Sequence, residues 1–126
     1  MFDERLESGA GMDASAALAE LLELSTQIVE AVVVSADGEV AASRAASDER
    51  ARELVSAGAD LLSSAAAIRS PDPGVERVHV DVERGSLVVV RDGERSIVAT
   101  TIAEPTVGLV AFDLRATLRR LREATA

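Results

Sequence analysis

His79 is the only histidine of the chain, and there is no cysteine. Without a second imidazole or a thiolate, no His pair, His–Cys metal set or Ser-His-Asp triad is assembled around it. His79 also falls among the polar positions of the alternating segment Arg77-Val78-His79-Val80-Asp81, where an exposed or interface side chain belongs. Carboxylate pairs come next, since two acids held together can divide general acid and base work or hold a hard cation. Glu20 with Glu23 and Asp81 with Glu83 have the spacing of solvated faces, and no Asp-x-Asp-x-Asp-Gly pattern occurs. Gly9-Ala10-Gly11-Met12-Asp13-Ala14 fits a relaxed dinucleotide fingerprint. That chemistry needs a preceding strand that aims a helix N-terminus at a pyrophosphate, and charged residues stand there instead. These residues predict no catalytic, metal-binding or cofactor-binding group, and a protein that is not an enzyme.

Composition bounds the elements that would position any site. With 126 residues and 48% hydrophobic content there is material for one core. The expected organisation is a loose extension over 1–13 and a single domain over 14–126. Two Phe with no Trp or Tyr leave Val, Leu, Ile and Ala to fill the core, and argue against ligand sites built on aromatic stacking. A net charge of −9 repels phosphate backbones and anionic lipid heads, so nucleic acid is not an expected partner. All 13 basic residues are Arg, a bias that a GC-rich genome produces together with abundant Ala. The start, MFDERLESGA, carries acids where a signal peptide carries bases, and no run approaches the ~18 apolar residues of a membrane span. A cytoplasmic protein without membrane insertion is expected.

Asp13 is placed to cap a first helix in which Leu18, Leu21, Leu22, Ser25, Ile28 and Val29 recur at helical spacing. Glu20, Glu23, Gln27 and Glu30 occupy its other side. The pattern then turns β-branched: Val32-Val33-Val34, the pair Asp37-Gly38 and a run from Glu39 to Ser43 read as a hairpin. Ser47 caps a second helix with Asp48 and Glu49 in its first turn, running to Ile68 before Pro71 and Pro73. Val78, Val80 and Val82 mark a half-buried third strand. Arg84-Gly85 turns into a fourth strand, Leu87 to Val90, and Asp92-Gly93 into a fifth, Ser96 to Ala103. The fourth strand is apolar on both faces and belongs inside the sheet. Pro105-Thr106 opens a last helix with Val107, Val110, Ala111, Leu114, Leu118 and Leu121 on its buried stripe. The order α-β-β-α-β-β-β-α predicts an α/β (α+β) fold, an antiparallel sheet whose two faces the helices cover.

Two surfaces exceed what one core needs. On the second helix Ala51, Leu54, Val55, Gly58, Leu61, Leu62, Ala65 and Ile68 fill one arc, which Ala57, Ala59 and Ala66 widen beyond the ~100° stripe of a single contact. Gly58 in mid-helix loses ~1 kcal/mol of propensity relative to Ala, which implies close approach of another backbone. A buried second contact is expected there. On the last helix Arg115, Arg119 and Arg122 form a basic stripe, which either meets an acidic partner or pairs with the acidic side of the first helix.

This succession, closed by a helix entered through Thr106-Val107-Gly108-Leu109, resembles the Roadblock domain of the dynein light chain type. It looks most like the bacterial members that accompany small Ras-like GTPases. The resemblance covers about residues 14–123 and lies in the order of elements and their hydrophobic pattern. It implies a five-stranded antiparallel sheet with the second helix on one face and the first and last on the other. It also implies a homodimer that pairs the third strand, around Val78 to Val82, and packs the second helices together. Leu54, Gly58, Leu61, Ala65, Ile68, Val78, His79 and Val80 are then the expected interface. The implied function is a non-enzymatic regulatory or scaffold protein that binds and modulates a small Ras-like GTPase. A structural light-chain-like subunit of a larger complex would use the same surfaces. A small-molecule sensor would need a pocket between sheet and helices.

Overall fold

The computed structural model describes residues 13–68 and 77–125. The segment 1–12, with most of the Gly9 to Ala14 fingerprint and the expected extension, and the Pro71 to Pro73 loop lie outside the described residues. Eight elements follow in the expected order: α1 (Ala14–Leu24), β1 (Ile28–Val34), β2 (Val40–Ser43), α2 (Asp48–Ile68), β3 (Arg77–Val82), β4 (Gly85–Asp92), β5 (Arg95–Thr101) and α3 (Val107–Thr125). The strands form one antiparallel sheet in the order β2-β1-β5-β4-β3.

Strand parity sorts the core into two layers, because successive side chains point to opposite faces. Ala31 and Val33 of β1, Val88 and Val90 of β4, and Ile97 and Ala99 of β5 face one side, where they pack against Leu18 and Leu21 of α1 and Val110, Leu114 and Leu118 of α3. Val32, Val34, Leu87, Val89 and Val98 face the other side and pack under Ala51 and Leu54 of α2. One helix covers one face and two cover the other, as the family pattern implies. β4 lies between β5 and β3 and is buried from Gly85 to Val90, as its two apolar faces predict.

The caps read from the sequence are made. Asp13 Oδ1 accepts from the Ala16 N–H at 2.8 Å, and Ser47 Oγ accepts from the Arg50 N–H at 3.0 Å. Gly38, at φ +85°, supplies the left-handed residue of the β1–β2 hairpin. The first helix is shorter than expected: Ser25 is already extended, at φ −109° and ψ 111°, and its N–H closes the last turn on the Leu21 carbonyl. Ile28 and Val29 therefore belong to β1, which pairs with β5 from Ile28 onward. Their β-branched side chains suit a pleated strand, and tertiary pairing overrides the helical spacing. Gly85 also differs from its expected place in a turn. It pairs with Val82 at the start of β4, and a Cβ there would lie 1.9 Å from the Thr101 carbonyl oxygen. The glycine answers a close approach of two backbones.

Moving Glu30 from helix to strand creates an anchor for α2. Arg50 Nε and Nη2, in the first turn of that helix, donate to the Glu30 carboxylate at 3.2 Å, and the Thr100 hydroxyl donates to it at 3.0 Å. Burial alone pushes the Glu30 carboxyl up. The hydrogen bonds from Arg50 and Thr100, the Arg50 charge and a backbone N–H from Ala46 together outweigh it and hold the group below the ordinary glutamate range.

Candidate interaction surface

The sheet has two edges, and they differ in readiness to pair. β2 is four residues long, and its register with β1 shifts between Val33 and Val34. Short, irregular edges discourage further pairing. β3 is six residues long and keeps unbroken register with β4 from Arg77↔Val90 to Val82↔Gly85. Among the described residues no strand pairs with its outer edge, which can template another strand.

The valines of β3 are not half-buried, as their alternation predicts. Val78 is partly covered, but Val80 is 39% exposed and Val82 55%. Their register partners Val89 and Leu87 belong to the layer under α2, so the valines extend that layer past the helix into solvent. His79 and Asp81 pair with Val88 and Ser86, and His79 therefore projects to the opposite face. Val78 and Val80 share one face beside α2, and His79 does not join them.

The α2 residues divide in the same way. Leu54 and Gly58, both expected at an interface between copies, are buried against the chain's own sheet. A Cβ on Gly58 would meet Val98 Cγ2 at 2.7 Å and Val89 Cγ2 at 3.4 Å, so the glycine makes room for valine side chains of the chain's own sheet, where the sequence implies the close approach of another backbone. The wide arc is largely consumed within the chain, because the helix sits so close that Val55, Ala57, Leu61 and Leu62 also pack against the layer below. Leu61 and Ala65 remain half-buried. Ile68 ends the helix, with its side chain outside the described residues. The outward side, with Glu49, Arg52, Glu53, Ser56 and Asp60, is exposed and polar. The apolar surface left over is the half-buried flank of α2 together with Val80 and Val82.

Charges behave differently from the sequence pattern in one respect. A cross-helix pair between α1 and α3 is made by Arg120, which lies outside the Arg115, Arg119, Arg122 stripe and reaches Glu20 at 2.6 Å. That stripe faces the end of β4, where Arg122 pairs with Asp92 at 2.9 Å. The sequence reading also missed Phe112 and Leu109, which stand exposed on α3. Both fall outside that helix's buried stripe, and this was the available signal. Among the described residues no group of three or more His, Asp or Glu is placed to hold a metal ion, and no helix is long and apolar enough to cross a membrane.

A five-stranded antiparallel sheet with one helix on one face, two on the other and α-β-β-α-β-β-β-α connectivity defines a small α+β sandwich class. Within it the chain belongs to the Roadblock/LC7 domain family, whose model matches residues 15–101. Solved structures agree on the fold. A Roadblock/LC7 domain from Streptomyces avermitilis superposes with a TM-score of 0.71 at 20% identity, covering 83% of this chain and 91% of the other. MglB of Myxococcus xanthus gives 0.66 at 15% identity, with 87% and 92% covered. The gliding protein MglB of Thermus thermophilus gives 0.66 at 18% identity, with 92% and 90% covered. No curated protein sequence matches the chain.

Proposed function

We propose that this protein is a non-enzymatic homodimer, cytoplasmic and of bacterial type, that binds and modulates a small Ras-like GTPase. The observation that carries the reading is the β3 edge, which no described strand pairs: a regular strand with Val80 and Val82 exposed beside the α2 flank, in a chain of the Roadblock/LC7 family. Apolar side chains in a row next to unpaired strand backbone mark a protein-binding surface, and a second copy offers the matching edge. Dimerisation would bury the valines and the Leu61 flank. The GTPase part rests on the family pattern.

Two measurements test this. Light scattering at micromolar concentration should give twice the 13.1 kDa chain mass, and Leu61→Glu or Val80→Asp should return it to one while the circular dichroism stays native. GTP hydrolysis by candidate small GTPases, with and without this protein, together with pull-down, decides the rest. No binding and no rate change across the candidates would sink the GTPase reading and leave a light-chain-like structural subunit, which uses the same surface.

A further inference from the structure

A cleft of about 260 Å³ opens between α2 and the sheet, where the helix passes the ends of the β1–β2 and β4–β5 hairpins. Its floor is Val34, Val89 and Val98, none more than 7% exposed, and its wall is Val55 and Leu62 of α2. Ser96 pairs with Val34 across β5 and β1, and strand parity with Val98 turns its side chain into the same layer. Ala36, Gly38 and Ala59 at the mouth carry too little side chain to fill it. Val55, Ala59 and Leu62 repeat at i, i+4 and i+7 on the flank of α2 away from Ala57 and Leu61. The cleft is therefore separate from the surface assigned above to a second copy.

Chemistry and size select the occupant. An apolar floor and wall would strip water from a charged group without replacing it. At the mouth Arg91 and Glu94 carry opposite charges, so the lining as a whole is neutral. The Ser96 hydroxyl makes no hydrogen bond with another described residue, and a hydroxyl can both donate and accept. A cavity of about 150 Å³ holds benzene, so this one holds about ten non-hydrogen atoms by proportion. A partner helix, about 10 Å across, cannot enter it. We propose that the cleft binds a small neutral amphiphile, an aliphatic alcohol or a molecule of like chemistry, with its chain over Val89 and Val98 and its polar head at Ser96. The proposal depends neither on the GTPase reading nor on the dimer.

The probe is n-octanol, titrated into the isotope-labelled full chain and followed by the backbone N–H shifts in two-dimensional NMR. Saturable shifts are expected at Val55, Ala59, Leu62, Ser96 and Val98, with Leu21 and Leu118 of the opposite layer unmoved. The dissociation constant should be about 0.1–1 mM, as suits so small a ligand. Ala59→Leu places a helix-favouring side chain at an exposed position and fills the mouth, and it should weaken binding about tenfold or more while circular dichroism stays native. Ser96→Ala should weaken n-octanol about three- to tenfold and leave cyclohexane, which has no hydroxyl, unaffected. That contrast carries the test if Ala59→Leu does not fold. Shifts that never saturate, or that spread equally to the exposed Leu109 and Phe112, would overturn the proposal as mere partitioning. So would saturable binding that Ala59→Leu leaves unchanged, or octanoate binding as tightly as n-octanol, which would assign the cleft to an anion. Shifts at these residues produced by raising the protein concentration alone, with none added by n-octanol, would assign it to a second copy and equally overturn the ligand reading.

Discussion

Replacing Gly58 by alanine tests the contact that sets how closely α2 lies on the sheet. In mid-helix the exchange gains about 1 kcal/mol of helix propensity. The added Cβ would sit 2.7 Å from Val98 Cγ2 and 3.4 Å from both Val98 Cγ1 and Val89 Cγ2. Carbon atoms rest at about 3.5–4.0 Å, so α2 must rise by about 1 Å or Val98 must leave its rotamer. Val98 is β-branched and 2% exposed, which makes it stiff and hemmed in. Over-packing of this kind destabilises by about 1–3 kcal/mol, which outweighs the propensity gain, and Gly58→Ala should lose about 1 kcal/mol net. Urea denaturation reads this as a lower midpoint at constant slope. Val98→Ala removes both clashing methyls, and in that background Gly58→Ala should stabilise by about 1 kcal/mol, giving a coupling of about 2 kcal/mol between the sites. A stabilising Gly58→Ala in the unaltered chain would refute the reasoning, since the helix could not then be pressing on Val98. An effect that varies with protein concentration would assign the glycine to a contact between copies.

Gly85→Ala is the harsher change, because its Cβ would meet the Thr101 carbonyl at 1.9 Å to oxygen and 2.9 Å to carbon, and backbone cannot turn aside. A loss of about 3 kcal/mol or more is expected, a large share of a small domain's stability, and an unchanged thermal midpoint would contradict the β4–β5 packing. Glu30→Gln tests the α2 anchor through pH. The native carboxyl titrates below its unfolded value, so its contribution is complete above about pH 5 and is lost as pH falls through the native value. The stability gap between the parent chain and Glu30→Gln should therefore be wide at about pH 7 and close toward about pH 3, and a gap of constant width would argue against the ion pair with Arg50.

Fold order was legible because each element carried local punctuation: the caps at Asp13 and Ser47, the Asp37-Gly38 and Asp92-Gly93 turns, and Thr106 before α3. What misled was periodicity read across a boundary. Ser25, Ile28 and Val29 continue the spacing of α1, and nothing local says that β1 begins there. The decision comes from β5, about seventy residues away, whose Thr100 and Thr101 pair with Glu30 and Ile28. The same long-range dependence hid the Glu30–Arg50 ion pair. At the candidate surface, the excess apolar arc of α2 was visible in the sequence, but its division between sheet and solvent was not. That division depends on how deeply the helix seats, which Gly58 fixes through Val98 and Val89. His79 shows the reverse case: its neighbours Val78 and Val80 placed it near the edge, and only the pairing His79↔Val88 reveals which face it occupies.

Strand parity also restricts how two copies can meet at β3. Val78, Val80 and Val82 lie on the α2 side of the strand and His79 and Asp81 on the α1–α3 side. Pairing β3 edge to edge with its copy allows two two-fold axes: one perpendicular to the sheet, which makes the strands antiparallel, and one within the sheet plane along the strand, which makes them parallel and inverts one sheet. A perpendicular axis carries α2 of each copy to the same face, where the Leu61 flanks and the exposed valines of both chains can close on one another. An in-plane axis would put one chain's valines beside the other's His79 and Asp81, leaving both apolar rows in water and setting carboxylates beside them. The perpendicular arrangement is therefore the one the side chains support. In that arrangement the α1 and α3 layers of both copies lie together on the opposite face of the joined sheet, away from the contact between the α2 flanks.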